Sequence, residues 1–188
     1  MDQGEQQLIQ QIRDGQSDAF AAMFKRYHSG LHRFAWHLTR SPEAAEDILQ
    51  TVFLKIWRNR RDWQPRGSLS TYLYRATKNA ALNFLRQRDY QDGLLPSLAE
   101  SHDPPASPEK VYDDQETLRL IQLAVDALPE GCRTVFILSR YENKKYAEIA
   151  EILEISVKTV ENHMGRALKL LRKKLMPFWI SGEKKSGE

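Results

Sequence analysis

The sequence predicts an all-α protein: two small helical domains joined by a flexible acidic linker, the second carrying a helix-turn-helix. Three observations point there. Apolar residues recur at three- and four-residue spacing on both sides of the chain's middle. A central stretch combines one charge sign with half of the chain's eight prolines. Near the end, a short helical pattern and a long one are separated by a tight break. The expected division is residues 1–90 as the first domain, 91–114 as the linker, 115–178 as the second domain and 179–188 as a disordered tail. A chain of 188 residues has room for one domain or two small ones.

The first domain opens with helical spacing through Ala19, Phe20, Met23, Phe24, Tyr27, Leu31, Phe34, Ala35 and Leu38, with Ser17 or Asp18 as its cap. Next, Ala44, Ala45, Ile48, Leu49, Val52, Phe53, Ile56 and Trp57 fall in pairs every four residues, one wide helical stripe. Ser41 before Pro42 reads as a cap followed by proline at the first helical position. Glu43, Glu46 and Asp47 suit the positive end of the helix dipole, and Lys55 and Arg58 suit the other. Leu54 falls on the polar side, beside Asp47, Gln50 and Thr51. That is either an ordinary exposed leucine or part of a docking face.

Residues 55–88 hold nine basic side chains against one acidic, Asp62, with Trp57, Trp63, Tyr72, Tyr74 and Phe84 interleaved. Cations neutralise phosphates and rings offer faces to unstacked bases, so the mixture suits a nucleic-acid strand. The alternative is a solvated basic face over an aromatic core. Gln64-Pro65-Arg66-Gly67-Ser68 is a loop by its Pro and Gly. A helix follows over about Ser70–Arg88, with Leu73, Ala76, Thr77, Ala80, Ala81, Phe84 and Leu85 inward. Asn79 and Asn83 share its other face, where an amide pair invites hydrogen bonding to bases.

In the second domain, helices are expected over about Gln115–Leu128 and from Pro129, with Val135, Phe136 and Leu138 inward and Cys132 as a packing residue. Tyr146–Leu153 forms a short helix with Ile149, Ala150 and Leu153 inward. Glu154 stands in the turn where glycine is usual, which costs strain if its φ is positive. Ser156 caps a long helix from Val157 whose inward stripe is Val157, Val160, Met164, Ala167 or Leu168, Leu171 and Leu175, ending before Pro177. In a helix-turn-helix this second helix enters the major groove, and its outward residues are Lys158, Thr159, Glu161, Asn162, His163 and Arg166. An αα-hairpin with a solvated basic face is the competing reading.

Charge supports the division. Net charge is +3, but residues 1–88 carry +6, 89–116 carry −7 and 117–188 carry +4. Two basic modules therefore flank an acidic tether too polar to fold alone. Several classes are excluded. One cysteine rules out an internal disulfide framework and a Cys-based zinc site. His28, His32 and His37 lack the HExxH context of a metal helix, so no metal is expected. No P-loop, GxGxxG turn or Ser/His/Asp set is present, so neither an enzyme nor a bound cofactor is expected. No run of about 18 apolar residues spans a membrane and the start is polar, so a cytoplasmic protein without membrane insertion is expected.

Taken in order, EAAEDILQTVFLKIWRN, RGSLSTYLYRATKNAALNFLRQR and LPEGCRTVFILSRYENKKYAEIAEILEISVKTVENHMGRALKLLRKKL resemble three parts of the sigma-70 family of RNA polymerase initiation factors. These are the polymerase-binding helix, the promoter-melting and −10-reading segment, and the −35-reading domain of the extracytoplasmic-function (ECF) group. The resemblance spans about residues 6–176. It implies that Asp47, Gln50, Phe53, Leu54 and Trp57 face or support the β′ clamp of core RNA polymerase, with Thr51 standing where relatives carry glutamate. It implies that the 64–71 loop holds a flipped non-template base, and that Arg66, Ser68, Tyr72, Arg75, Asn79, Asn83 and Arg86 serve the −10 element. Ser156, Lys158, Thr159, Glu161, Asn162, His163 and Arg166 match the −35 face, with His163 where arginine is common. Promoter DNA, core polymerase through clamp and β flap, and an anti-sigma factor are the implied partners. The runner-up is a stand-alone LuxR-like regulator, whose TVENH wording the last helix shares. It leaves the Ala44–Trp57 helix and the 55–88 stretch without a task.

Overall fold

The computed structural model describes residues 3–91 and 114–183. Among these residues the structure is helical, with no strand. Helix α1 (Gln3–Arg13) is turned by Gly15, whose φ of 83° suits a residue without Cβ. Helix α2 (Ser17–Thr39) starts at Ser17, so its cap lies one residue before the expected Ser17 or Asp18. Gln16 holds the cap position in extended conformation without a side-chain bond, and its carbonyl accepts the Phe20 N–H at 3.3 Å. Ser17 and Asp18 therefore lie in the first turn, where Asp18 serves the dipole instead.

Arg40, left-handed at φ 60°, ends α2, and Ser41-Pro42 opens helix α3 (Pro42–Arg58) as the sequence predicts. The Ser41 hydroxyl accepts the Ala44 N–H at 3.1 Å. Ala44, Ala45, Ile48, Leu49, Val52, Phe53 and Ile56 are buried, and Trp57 is half-buried. A 3-10 turn (Arg60–Asp62) and a loop lead to helix α4 (Leu69–Gln91), slightly longer at both ends than its pattern.

The second half comprises helices α5 (Asp114–Asp126), α6 (Glu130–Arg140), α7 (Tyr146–Leu153) and α8 (Val157–Glu183). The acidic linker expected over 91–114 lies almost wholly outside the described residues. Two expectations for α8 need correction. Val157 is exposed at 42%, because the first turn projects beyond α7 and the inward stripe begins at Val160. Nor does α8 stop before Pro177: it continues to Glu183, so residues 179–183 of the expected disordered tail are helical. Proline removes one ladder bond, and a helix already nucleated over five turns carries past that single loss.

One apolar core joins both halves. Ile12, Met23, Leu31, Phe34, Leu49, Leu69 and Leu73 from the first half are continuous with Val135, Ile137, Leu138, Ile149 and Ile152 from the second. A smaller cluster of Val125, Leu128, Cys132, Ala167 and Leu171 fixes α5 and α6 on α8. Helix α2 lies at the centre and packs on α1, α3, α4 and α6. His37 is buried on it at 3% exposure, with its ring 5.3 Å from that of Tyr141 on the turn after α6. Burial, then the nearby Arg40 and Arg133 charges, push its pKa down to about 4 against a partial offset from Asp126.

Leu49→Ala is expected to cost about 2–5 kcal/mol and Ser41→Ala about 1 kcal/mol, both read from urea midpoints at constant m-value. His37 is neutral in the fold but ordinary when unfolded, so between pH 6.5 and about 4 the unfolded chain binds the extra proton. Its contribution is complete above pH 6.5 and is lost as pH falls through about 4. The urea midpoint should fall less steeply over that window in His37→Gln than in the wild type.

Candidate polymerase and nucleic-acid interface

Helix α3 turns Asp47, Gln50, Thr51 and Leu54 to solvent on one face, because positions three, four and seven apart coincide on a helix. Leu54 is 45% exposed. Phe53 does not reach that surface; it is buried beneath, its ring 6.1 Å from Phe20 and 4.8 Å from Phe24. Trp57 packs 4.9 Å from Phe20 under the Arg60 guanidinium, which lies 4.4 Å above its ring. Phe53 and Trp57 thus set the rigidity of the face, while Asp47, Gln50 and Leu54 form it. Sequence reasoning missed its neighbour on α2. Phe24 is 38% exposed, and His28 and His32 sit 3.3 Å and 3.9 Å from Glu46 of α3.

The loop before α4 is held from below. Trp63 and Pro65 are buried, Tyr72 meets the Trp63 ring edge-on at 5.8 Å, and Gly67 takes a φ of 77°. Ser68 acts first as a cap: its hydroxyl accepts the Thr71 N–H at 3.1 Å and donates to the Thr71 hydroxyl at 2.9 Å. Glu5 of α1 accepts the Leu69 N–H at 3.4 Å. An open groove of about 540 Å³ between α1 and this loop is lined by Gln6, Gln10, Arg13, Trp63, Gln64 and Arg66 among others. The Trp63 indole N–H is buried without a hydrogen-bond partner.

Along α4 the seven expected −10 residues separate into two groups. Asn79, Asn83 and Arg86 are exposed at four- and three-residue spacing on one face, and Arg66 is exposed in the loop. Arg75 and the neighbouring Lys78 instead reach Glu154 at 3.9 and 3.5 Å, while Ser68 and Tyr72 are half-buried.

The helix-turn-helix forms as its sequence predicts. Glu154 takes the left-handed conformation at φ 59° and ψ 42°, and its N–H bonds to the Ala150 carbonyl. The Ser156 hydroxyl accepts the Thr159 N–H at 3.0 Å and pairs with the Thr159 hydroxyl at 2.8 Å. Ser156, Lys158, Glu161, Asn162 and Arg166 are exposed, with Lys158 and Glu161 3.2 Å apart. His163 departs from the expected outward set. It is half-buried and folds back on α6, its Nδ1 3.7 Å from the Cys132 sulfur, where Gly131 leaves room for the ring. The thiol pKa is raised by burial, so Cys132 is a packing residue. No group of three or more His, Cys, Asp or Glu able to hold a metal occurs among the described residues.

Residues 23–90 match the model of sigma-70 region 2, and residues 118–171 match that of sigma-70 region 4. The chain belongs to the sigma-70 family. Within that family it falls in the ECF group. It is 28% identical over 185 residues to the ECF RNA polymerase sigma-E factor of Haemophilus influenzae, covering 93% of this chain and 96% of that one. It is 29% identical over 177 residues to the ECF factor SigW of Bacillus subtilis, covering 89% and 94%. Its fold is similar to CnrH, solved in complex with the cytosolic domain of CnrY, at TM-score 0.67, 22% identity, and 92% and 97% coverage. It is also similar to RpoE of Bartonella quintana, solved with the anti-sigma factor NepR, at TM-score 0.64, 22% identity, and 84% and 96% coverage.

The exposed faces of this sigma-70 factor fall inside the two matches. Asp47 through Arg86 lie within region 2, and Ser156 through Arg166 within region 4. Helix α1, which supplies Glu5 and one wall of the groove, precedes the region 2 match. Relieving the left-handed strain is expected to make Glu154→Gly about 0.5–1 kcal/mol more stable, because the exposed ion pairs it removes are weak. Thermal melting of the variant checks the sign.

Proposed function

We propose that the chain is an ECF sigma factor that binds core RNA polymerase, brings it to specific promoters and promotes DNA melting. The observation that carries this reading is the order of exposed faces on one chain. An apolar-centred face with Asp47, Gln50 and Leu54 comes first, an Asn79–Asn83–Arg86 face second, and a capped helix presenting Lys158, Asn162 and Arg166 last. In this reading residues 1–90 form the polymerase-binding and −10 domain, 91–114 the tether and 115–178 the −35 domain. Phe53 and Trp57 support the clamp-binding face from below.

The physical logic is one of linked weak sites. Each basic module alone binds DNA weakly and in a salt-dependent way. Core polymerase fixes their separation, so the second contact becomes intramolecular. Phosphate contacts from α8 set register on duplex DNA while a few side chains read base edges. The loop before α4 and α4 itself then hold an unpaired strand, offsetting a few kcal/mol of unstacking. The chain makes no bonds itself; polymerase does the chemistry, in the cytoplasm. No helix of the described residues is long and apolar enough to cross a membrane. Both structural neighbours were solved with a bound partner, and we infer that an anti-sigma factor covers these same faces here. A LuxR-like regulator is disfavoured because it leaves the α3 face without a role.

The test is transcription from genomic DNA by core polymerase with and without the purified chain. Promoter-specific starts are expected only with it, and absence of core binding would overturn the reading. Leu54→Ala with Gln50→Ala should weaken core binding about tenfold or more, with cooperative melting retained. Arg166→Ala should lower promoter use while core binding survives, and Asn83→Ala should change the base profile at the −10 element.

A further inference from the structure

Acidic side chains of the second half meet basic ones of the first at three places. Asp126 pairs with Arg40 at 2.6 Å. Glu154 meets Lys78 at 3.5 Å and Arg75 at 3.9 Å. Glu142, just beyond α6, receives the Tyr74 hydroxyl at 2.5 Å and the Arg33 guanidinium at 3.1 and 3.4 Å. Lys144 completes the junction from the same turn, donating to the Ser70 hydroxyl at 2.7 Å and lying 4.5 Å above the Tyr74 ring.

Glu142 differs from the other two acids. Its side chain is only 3% exposed, against 59% for Glu154 and 32% for Asp126. A buried carboxylate is tolerated only where donors meet it, and the donors here, Tyr74 and Arg33, both belong to the first half. Burial and the Glu142 hydrogen bond hold the Tyr74 phenol protonated, and burial pushes the Lys144 pKa down. Gly30 is the second, independent sign. It sits inside the 23-residue helix α2, where glycine is a poor helix former. A Cβ there would lie 2.7 Å from the Tyr74 hydroxyl and 2.8 Å from the Glu142 carboxylate. The glycine leaves the space in which this hydrogen bond forms.

We propose that Glu142, seated on Tyr74 and Arg33 beside Gly30, is a latch that closes the free chain and masks the basic N-terminal half of α4 around Arg75 and Lys78, leaving the Asn79–Asn83–Arg86 face open. Its masking role rests on the −10 reading of α4. When the latch is shut, Glu154 holds Arg75 and Lys78, and Lys144 holds Ser70, all on the N-terminal half of α4. A carboxylate thus stands where a strand phosphate would bind. Affinity of the free chain for an unpaired strand is reduced by the fraction of molecules that are open.

The test compares the full-length free protein with Gly30→Ala, Arg33→Glu and the double swap Arg33→Glu/Glu142→Arg. Small-angle scattering reads closure without DNA, and anisotropy of a fluorescein-labelled single-stranded DNA of mixed sequence reads masking. Gly30→Ala changes no charge and should improve helix α2, yet it is expected to raise the radius of gyration and tighten strand binding about tenfold. Arg33→Glu should also expand the chain, and the swap should restore the wild-type radius. An unchanged radius in both Gly30→Ala and Arg33→Glu overturns the latch, as does a swap no more compact than Arg33→Glu. Expansion without tighter strand binding overturns the masking. If Asn83→Ala also leaves the −10 profile of the polymerase complex unchanged, the fault lies in the −10 reading, and the scattering result stands by itself.

Discussion

Helix α2 is the constraint on which the remaining structure depends. A helix on the surface of a globular protein buries one stripe and gives the rest to water. Helix α2 meets α1, α3, α4 and α6, so Met23, Leu31, Phe34, Ala35 and Leu38 are buried toward several neighbours at once. The polar residues caught in that burial are neutralised locally. The Thr39 hydroxyl donates to the Ala35 carbonyl at 3.0 Å, and His37 loses its proton. Because the same helix carries Arg33 and Gly30, the element that organises the first half also sets how the second half seats.

Much of this was legible in the sequence where one local rule sufficed. The Ala44–Ile56 stripe, the Ser41-Pro42 start of α3, the Ser156 cap and the positive φ of Glu154 each depend on residues within one or two turns. What was not legible depends on neighbours distant in sequence. Periodicity put His163 with the outward residues of α8, but it could not show that Gly131 opens a slot for the ring on α6. It placed Tyr74 among the basic-aromatic run without showing that its hydroxyl meets Glu142, 68 residues away. Gly30 was the one available signal, a glycine inside a strong helical pattern, and its meaning required the side chains that surround it.

The candidate faces show the same limit. Spacing put Asp47, Gln50 and Leu54 on one surface of α3 and Phe53 in the apolar stripe beneath, but did not show that Phe24 of α2 extends that surface. On α4, one basic run divides by direction. Asn79, Asn83 and Arg86 point to solvent, whereas Arg75 and Lys78 are turned toward Glu154 of the other half. Net charge describes neither group, because it averages cations that are free to meet phosphate with cations already engaged.

The energetics of closure decide how such a chain can be both quiet and responsive. Exposed pairs such as Glu154 with Lys78 are worth only about 0–1 kcal/mol each, so they bias the arrangement without locking it. Glu142 is different in kind, since breaking a buried pair one-sidedly costs about 3–5 kcal/mol unless both partners return to water. Domain separation does return both to water, which removes most of that penalty, but it also exposes the apolar core that the two halves share, so the latch adds to a closed state that burial already favours. A partner that binds the open form about 10⁴-fold more tightly than the closed form shifts a 1:99 population to 99:1. Interfaces that bury about 1,600 Å² routinely supply more free energy than that ratio requires. A polymerase surface that engages both halves at a fixed separation therefore needs no contact with Glu142 to open the junction, whereas a DNA strand competing for Arg75 and Lys78 must overcome the closure first.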